Sequence, residues 1–198
     1  GSRPRMNMAL ASAQAARGGA SSSDATGAST LASLWGAGGV VMILGKSIKR
    51  ILPIALEPFG SGAVPLSTLQ LGAYVSMCLW FAYVEGYKGF QLKFSPLVVA
   101  RSQTLTKKSP IYHTLLAPFY AMGLFHATKK RKIVSWSVSI GVALIVAAVK
   151  RLPYPWRNIV DAGVIVGLTW GSASIVVEWI KAVVMGIETK MDPALPGN

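Results

Sequence analysis

Acidic side chains are scarce in this chain. Asp and Glu number seven against 20 Lys and Arg, and charged residues of both signs make up 14%. A soluble domain carries about 25%, so an ordinary water-soluble globule is the wrong class. Cysteine is almost missing as well. Cys78 stands alone, which excludes an internal disulfide and a Cys/His cluster for a metal; inside an apolar run it reads as packing filler. Histidine occurs at His113 and His126 only. There is no Gly-rich phosphate loop beside a lysine and no Ser–His–Asp pattern in helical or strand context. The chain also lacks an internal repeat or an inverted pair of broken helices, which weighs against a standard secondary transporter.

What is present is apolar residue in long runs, 52% of the whole, with the charge gathered at the ends of those runs. Residues 128–171 show the grammar most clearly. Lys129, Lys130, Arg131 and Lys132 precede an uncharged run, 133–149; Lys150, Arg151 and Arg157 follow among prolines and aromatics; a second run then starts at Ile159. This is the pattern of two membrane-spanning helices joined by a short basic turn. The net charge of +13 therefore points to anionic lipid head groups or acidic partner surfaces and away from nucleic acid. The expected contact residues are Lys46, Lys49, Arg50, Lys129, Lys130, Arg131, Lys132, Lys150, Arg151, Trp156 and Arg157.

Taken in order, residues 1–30 are rich in Ala, Ser and Gly, with Arg3, Arg5 and Arg17 against Asp24. The composition suits an organellar presequence remnant or a flexible tail, with Gly1-Ser2 a possible cloning scar. A free tail of this kind is expected to be disordered; held in order, it needs a large assembly. Residues 31–56 are the first hydrophobic element. The uninterrupted part ends at Gly45, short of the roughly 20 residues a span needs. Either a tilted helix continues with its lysines snorkelling, or residues 46–56 lie along the surface. Residues 66–84 form an uncharged second span, its end marked by Trp80, Phe81 and Tyr83. A basic loop is expected over residues 85–110. Residues 111–127 contain Pro118 and both histidines and read as a kinked or re-entrant segment. Spans 133–149 and 159–180 follow, then a polar tail from residue 183. The expected fold is an all-α integral membrane protein with four or five transmembrane helices. Gly163, Gly167 and Gly171 share one face of the last span and are expected to serve packing inside the monomer.

Few residues invite chemistry. Asp161 and Glu178 lie within the last span, and an intramembrane acid is a functional candidate by default. They are roughly 25 Å apart along a helix, near opposite interfaces. Asp161 follows Arg157 by four positions, which favours an ion pair, and Lys181 suits Glu178 in the same way. His113 and His126 are candidate axial ligands for haem or chlorophyll. On one continuous helix they would differ by about 220° of rotation and face different ways. Pro153, Tyr154, Pro155, Trp156 and Arg157 read as an interfacial turn.

The segments FAYVEGYKGFQLKFSPLVVAR, LAPFYAMGLFHATKKRKIVSW and VKRLPYPWRNIVDAGVIVGLTWG resemble a family of small uncharacterised bacterial polytopic inner-membrane proteins, over about Leu34 to Val177. The resemblance implies architecture and no activity. An added Arg/Ser/Ala-rich front on such a core suggests an organelle-targeted algal copy. The leading expectation is a non-catalytic accessory subunit of a thylakoid photosystem–antenna assembly, with larger complex subunits and anionic lipids as partners. Chlorophyll, carotenoid and lipid are the molecules expected at its surface. A small transporter or channel using Asp161 or Glu178 is a second expectation, and a haem- or quinone-binding anchor a third.

Overall fold

The computed structural model describes residues 3–106 and 108–197, with side chains from Thr30 onward. The readings of residues 1–30 as a presequence remnant or an assembly-held tail lie outside those described side chains. Among the described residues there are helices and turns and no strand. Three helices among the described residues are long and apolar enough to cross a membrane: Thr30–Phe59, Lys129–Val149 and Trp156–Val183.

Helix α1 (Arg3–Leu56) continues through Lys46, Lys49 and Arg50, the continuity that the tilted-helix alternative for residues 46–56 expects. A short 3-10 turn, Glu57–Phe59, ends it. Helix α2 (Thr68–Phe81) starts at a capping box, in which Ser67 accepts from the Gln70 backbone and Gln70 reaches back to the Ser67 N–H. Here the expected loop over 85–110 has to be corrected. The helix does not stop near Val84. It passes into a π-helical segment, Ala82–Phe94, and then into α3 (Ser95–Gln103), giving one rod over residues 68–103. Its polar residues hid it from a reading based on apolar runs. The Ser95 N–H still bonds Phe90 O, five residues back, the wide pairing that defines a π-helix.

Residues 111–127 form no continuous helix. They fold as α4 (Ile111–Leu115) and α5 (Ala117–Ala121), followed by turns. Helix α6 (Lys129–Val149) is capped by Thr128, and α7 (Trp156–Val183) completes the set.

Side-chain contacts give the directions. Tyr74 bonds Ala55 O and Ser33 meets Ser102, so α1 and the rod are antiparallel. Asn158 reaches Ile54 O and Trp179 reaches Ser33, so α7 is also antiparallel to α1. The rod and α7 thus run parallel. Residues 111–127 begin and end at the end of the bundle where α3 finishes. There Trp35 Nε1 donates to Leu115 O, and a Cβ on Gly39 would overlap the Pro118 ring. Ala37, Val40, Val98, Ala121 and Ile175 form the core where α1, α3, α5 and α7 meet.

The three glycines of α7 do face inward. A Cβ on Gly163 would lie 2.6 Å from Phe81, one on Gly167 3.1 Å from Glu85, and one on Gly171 2.5 Å from the Phe90 ring. In return Trp170 covers Gly86, where a Cβ would come within 2.8 Å of the indole. Helix α6 is different. Ser135 is its one buried residue, and Ile133, Val138, Ile140, Leu144 and Ile145 are all more than half exposed.

Adding bulk at the rod–α7 contact should therefore separate the helices. Gly171→Val is expected to destabilise the fold by about 1–3 kcal/mol, the usual range for overpacking. Gly141→Val on α6, where a side chain meets open space, is expected to change it by less than about 1 kcal/mol. Thermal melts of the detergent-solubilised protein would show the contrast.

Candidate functional site

The densest polar arrangement lies at the end of the bundle where α3 stops. Arg101 occupies its centre and is fully buried. Sequence reasoning had placed it in a loop as one of several surface cations. Among the described residues it has no carboxylate partner; four backbone carbonyls accept from it instead. Its Nε donates to Tyr120 O at 2.7 Å and one terminal nitrogen to Pro193 O at 2.6 Å. The other terminal nitrogen donates to Phe125 O and His126 O at 3.2 and 2.9 Å. The guanidinium also sits 4.6 Å from the Tyr120 ring centre. A guanidinium has five donors in a fixed fork, so one side chain ties together segments that are far apart in the chain: α5, the turn after it and the C-terminal tail. Arginine keeps its charge even when buried.

The C-terminal tail, expected to be polar, is docked here. Thr128 N–H donates to Ala194 O at 2.9 Å. Thr189 Oγ1 donates to Gln103 Oε1 at 3.4 Å. Leu195 packs on the cluster of Leu105, Ala117 and Tyr120.

His113 and His126 meet at this same place. Their ring centres are 4.4 Å apart, so the expectation that they face different ways is corrected. That expectation assumed one helix; the chain instead breaks at Leu116 and turns after Ala121, with His126 at φ 46°. Tyr120 and Phe125 lie 5.2 and 5.8 Å from His113, ring centre to ring centre. His113 is buried, and its Nε2 has no hydrogen-bond partner; His126 is exposed. Two imidazoles bound to opposite sides of one haem iron, with metal–nitrogen bonds near 2 Å, put their ring centres about 6 Å apart. The pair is too close for that. No group of three or more His, Cys, Asp or Glu residues able to hold a metal ion occurs among the described residues.

The remaining predicted residues are scattered. Arg157 Nε lies 3.5 Å from Asp161 Oδ2, and Lys181 Nζ lies 3.0 Å from Glu178 Oε1. Both acids of α7 are thus ion-paired near opposite ends of their helix. Lys46, Lys49, Arg50, Lys129, Lys130, Lys132, Lys150, Arg151 and Trp156 are exposed; Arg131 and Arg157 are half-buried. A further polar link went unseen in the sequence: Asn158 Nδ2 donates to Glu57 Oε2 at 2.7 Å. Its partners lie 101 positions apart, so no local signal could have shown it.

The chain matches no protein-family model, no curated protein and no solved structure.

Arg101 and His113 each give a test. Arg101→Met removes the donor from the part-buried Pro193, Phe125 and His126 carbonyls, while Tyr120 O keeps the Gly123 N–H, and is expected to cost about 2–4 kcal/mol. Limited proteolysis should then cut the segment 184–197 that is protected in the parent. His113 is pushed below the ordinary histidine range, first by burial and then by His126 and Arg101. Below about pH 6.5 the unfolded chain takes up a proton that the folded one resists, so stability is full above that pH and falls as pH drops through it. Chemical-denaturation midpoints between pH 5 and 8 should show this slope, and His113→Phe should flatten it.

Proposed function

We propose that the chain is a non-catalytic accessory subunit of a larger membrane complex. It crosses the bilayer four times, through α1, the rod, α6 and α7, and residues 111–127 enter and leave from one side. The observation that carries this reading is α6. It is 21 residues long with one buried residue, about the length of a bilayer's hydrocarbon core. It is fastened near its start, where Ser135 Oγ donates to Met122 O and Trp136 Nε1 to Leu124 O, and at its far end by the turn into α7. Between those points it has almost no packing from its own chain. Helices within a bilayer associate by close packing, and neighbouring subunits supply the surface that this chain does not. The basic clusters at both ends of α6, Lys129–Lys132 and Lys150–Arg151, suit anionic lipid heads and acidic partner surfaces.

The more specific version, an organelle-targeted algal protein of a thylakoid photosystem–antenna assembly, rests on the composition of residues 1–30 and on the bacterial resemblance. Chlorophyll or carotenoid against α6 belongs to the same version. The transporter reading is less well supported, because Asp161 and Glu178 are each committed to a cation on their own helix.

The test is native purification in mild detergent. The chain is expected to co-migrate with a complex many times its own mass, and the subunits beside it would identify that complex. A chain that runs only as a free small oligomer would overturn the proposal.

A further inference from the structure

On the four-crossing reading, the midsection of the rod carries charge at a depth where lipid does not tolerate it. The glycine contacts set the levels. Phe81 and Glu85 lie against Gly167, and Phe90 lies against Gly171. Lys88 therefore sits between the levels of Gly167 and Gly171, at the middle of the 28-residue α7 and roughly 20 Å from either end of that helix. Lys88 is exposed, as are Tyr83, Tyr87, Gln91 and Lys93. In a π-helix residues five apart return to nearly the same side, so Lys88 and Lys93 share one outward face.

Among the described residues no ion pair neutralises that face. The Lys88 ammonium rests 4.6 Å from the Tyr83 ring centre, and Tyr83 stacks on Tyr87 with ring centres 6.2 Å apart. Glu85, on the same segment, is half-buried and set against Gly167. The titratable groups of α7 are Arg157, Asp161, Glu178 and Lys181, and its two acids are paired with its two cations. The rest of the rod offers Tyr74 and Cys78 from α2, and Arg101, which is occupied by carbonyls. Gln91 is taken by Trp170 Nε1 at 2.7 Å. No salt bridge to Lys88 or Lys93 exists among the described residues. A lysine stem of about 6 Å cannot carry its ammonium across the roughly 15 Å from midplane to interface. Ionisable groups at such depth pair with an opposite charge or face water.

We infer that the face formed by Tyr83, Tyr87, Lys88 and Lys93 docks a transmembrane helix of another subunit, and that this helix carries an Asp or Glu opposite Lys88. This deepens the subunit reading and rests on it. Charge complementarity chooses the occupant: two cations with aromatic hydroxyls beside them call for a carboxylate. A second copy of the chain is a poorer match, because it presents the same two cations and its nearest acid, Glu85, is turned toward its own α7.

The test uses the native complex containing tagged chain. A lipid-soluble carbodiimide condenses an amine with a carboxyl, forming an amide as the reagent takes up the lost water as a urea. The expected product is an amide between Lys88 and an Asp or Glu within a hydrophobic segment of a different subunit. Lys88→Leu should lower recovery in the complex at least tenfold with an unchanged melt of the isolated chain. Lys88→Glu, combined with a change of the cross-linked acid to Lys, should restore it. Three results would overturn the inference: a cross-link to Glu85 of a second copy, labelling of Lys88→Cys by a membrane-impermeant maleimide, or parental recovery of Lys88→Leu. The last leaves the subunit reading standing. A parent chain found in no complex would instead remove that reading and this one together.

Discussion

Backbone approach along the glycine face of α7 is the constraint on which the architecture depends. With only hydrogen on Gly163, Gly167 and Gly171, the aromatic side chains of the rod lie directly on the α7 backbone. Lipid gives no hydrophobic drive for helix association, so fit of this kind is what holds a membrane bundle. The fit also accounts for the register. Phe81, Glu85 and Phe90 meet successive glycines, and the spacing of those three is wider than the four-residue spacing on α7. The π-helical segment is where that extra residue is accommodated. A substitution at the glycines would act on the rod, on the level of Lys88 and on the core beneath α5 together.

The end of the bundle depends on a different kind of interaction. Two stretches of irregular backbone, the turn after α5 and the C-terminal tail, converge there on α5, and both bring carbonyls that Arg101 meets. A buried carbonyl without a donor is costly. Arg101 answers four of them with one planar group. An aspartate partner would have neutralised the charge and left the carbonyls unmet. The histidine pair sits beside this latch, and its closeness follows from the same turn that delivers the Phe125 and His126 carbonyls. The latch and the glycine face also divide the work. One holds the ordered end, the other aligns the long helices, and α6 takes part in neither over most of its length.

That division bears on function. The acids of α7 and the buried arginine are all engaged in holding the fold, which leaves the outward surfaces as the parts free to act. Those surfaces are of two kinds: the apolar length of α6 and the charged midsection of the rod. On the subunit reading, the first is a surface left for packing and the second has no counter-charge among the described residues.

Much of the fold was legible in composition and spacing. Apolar runs flanked by Lys and Arg marked α6 and α7, because hydrophobic length and flanking charge are local properties. The i,i+4 spacing of Arg157 and Asp161 foresaw their ion pair, and the inward role of the α7 glycines was likewise readable from one helix face. The rod was not legible past Val84. Glu85, Lys88 and Lys93 look like loop residues to any reading that equates charge with water, and only the neighbouring α7 shows that the helix continues beside it. Arg101 and the histidine pair were hidden for a second reason. Their partners are carbonyls and rings brought in from up to 92 positions away, and backbone carbonyls leave no trace in residue identity. The sequence by itself thus determined that the chain is helical, apolar and basic at its edges, since those follow from side-chain chemistry one segment at a time. Which charges are buried, which face outward beside the middle of α7 and which rings touch was decided by the tertiary structure, because those are properties of pairs of segments.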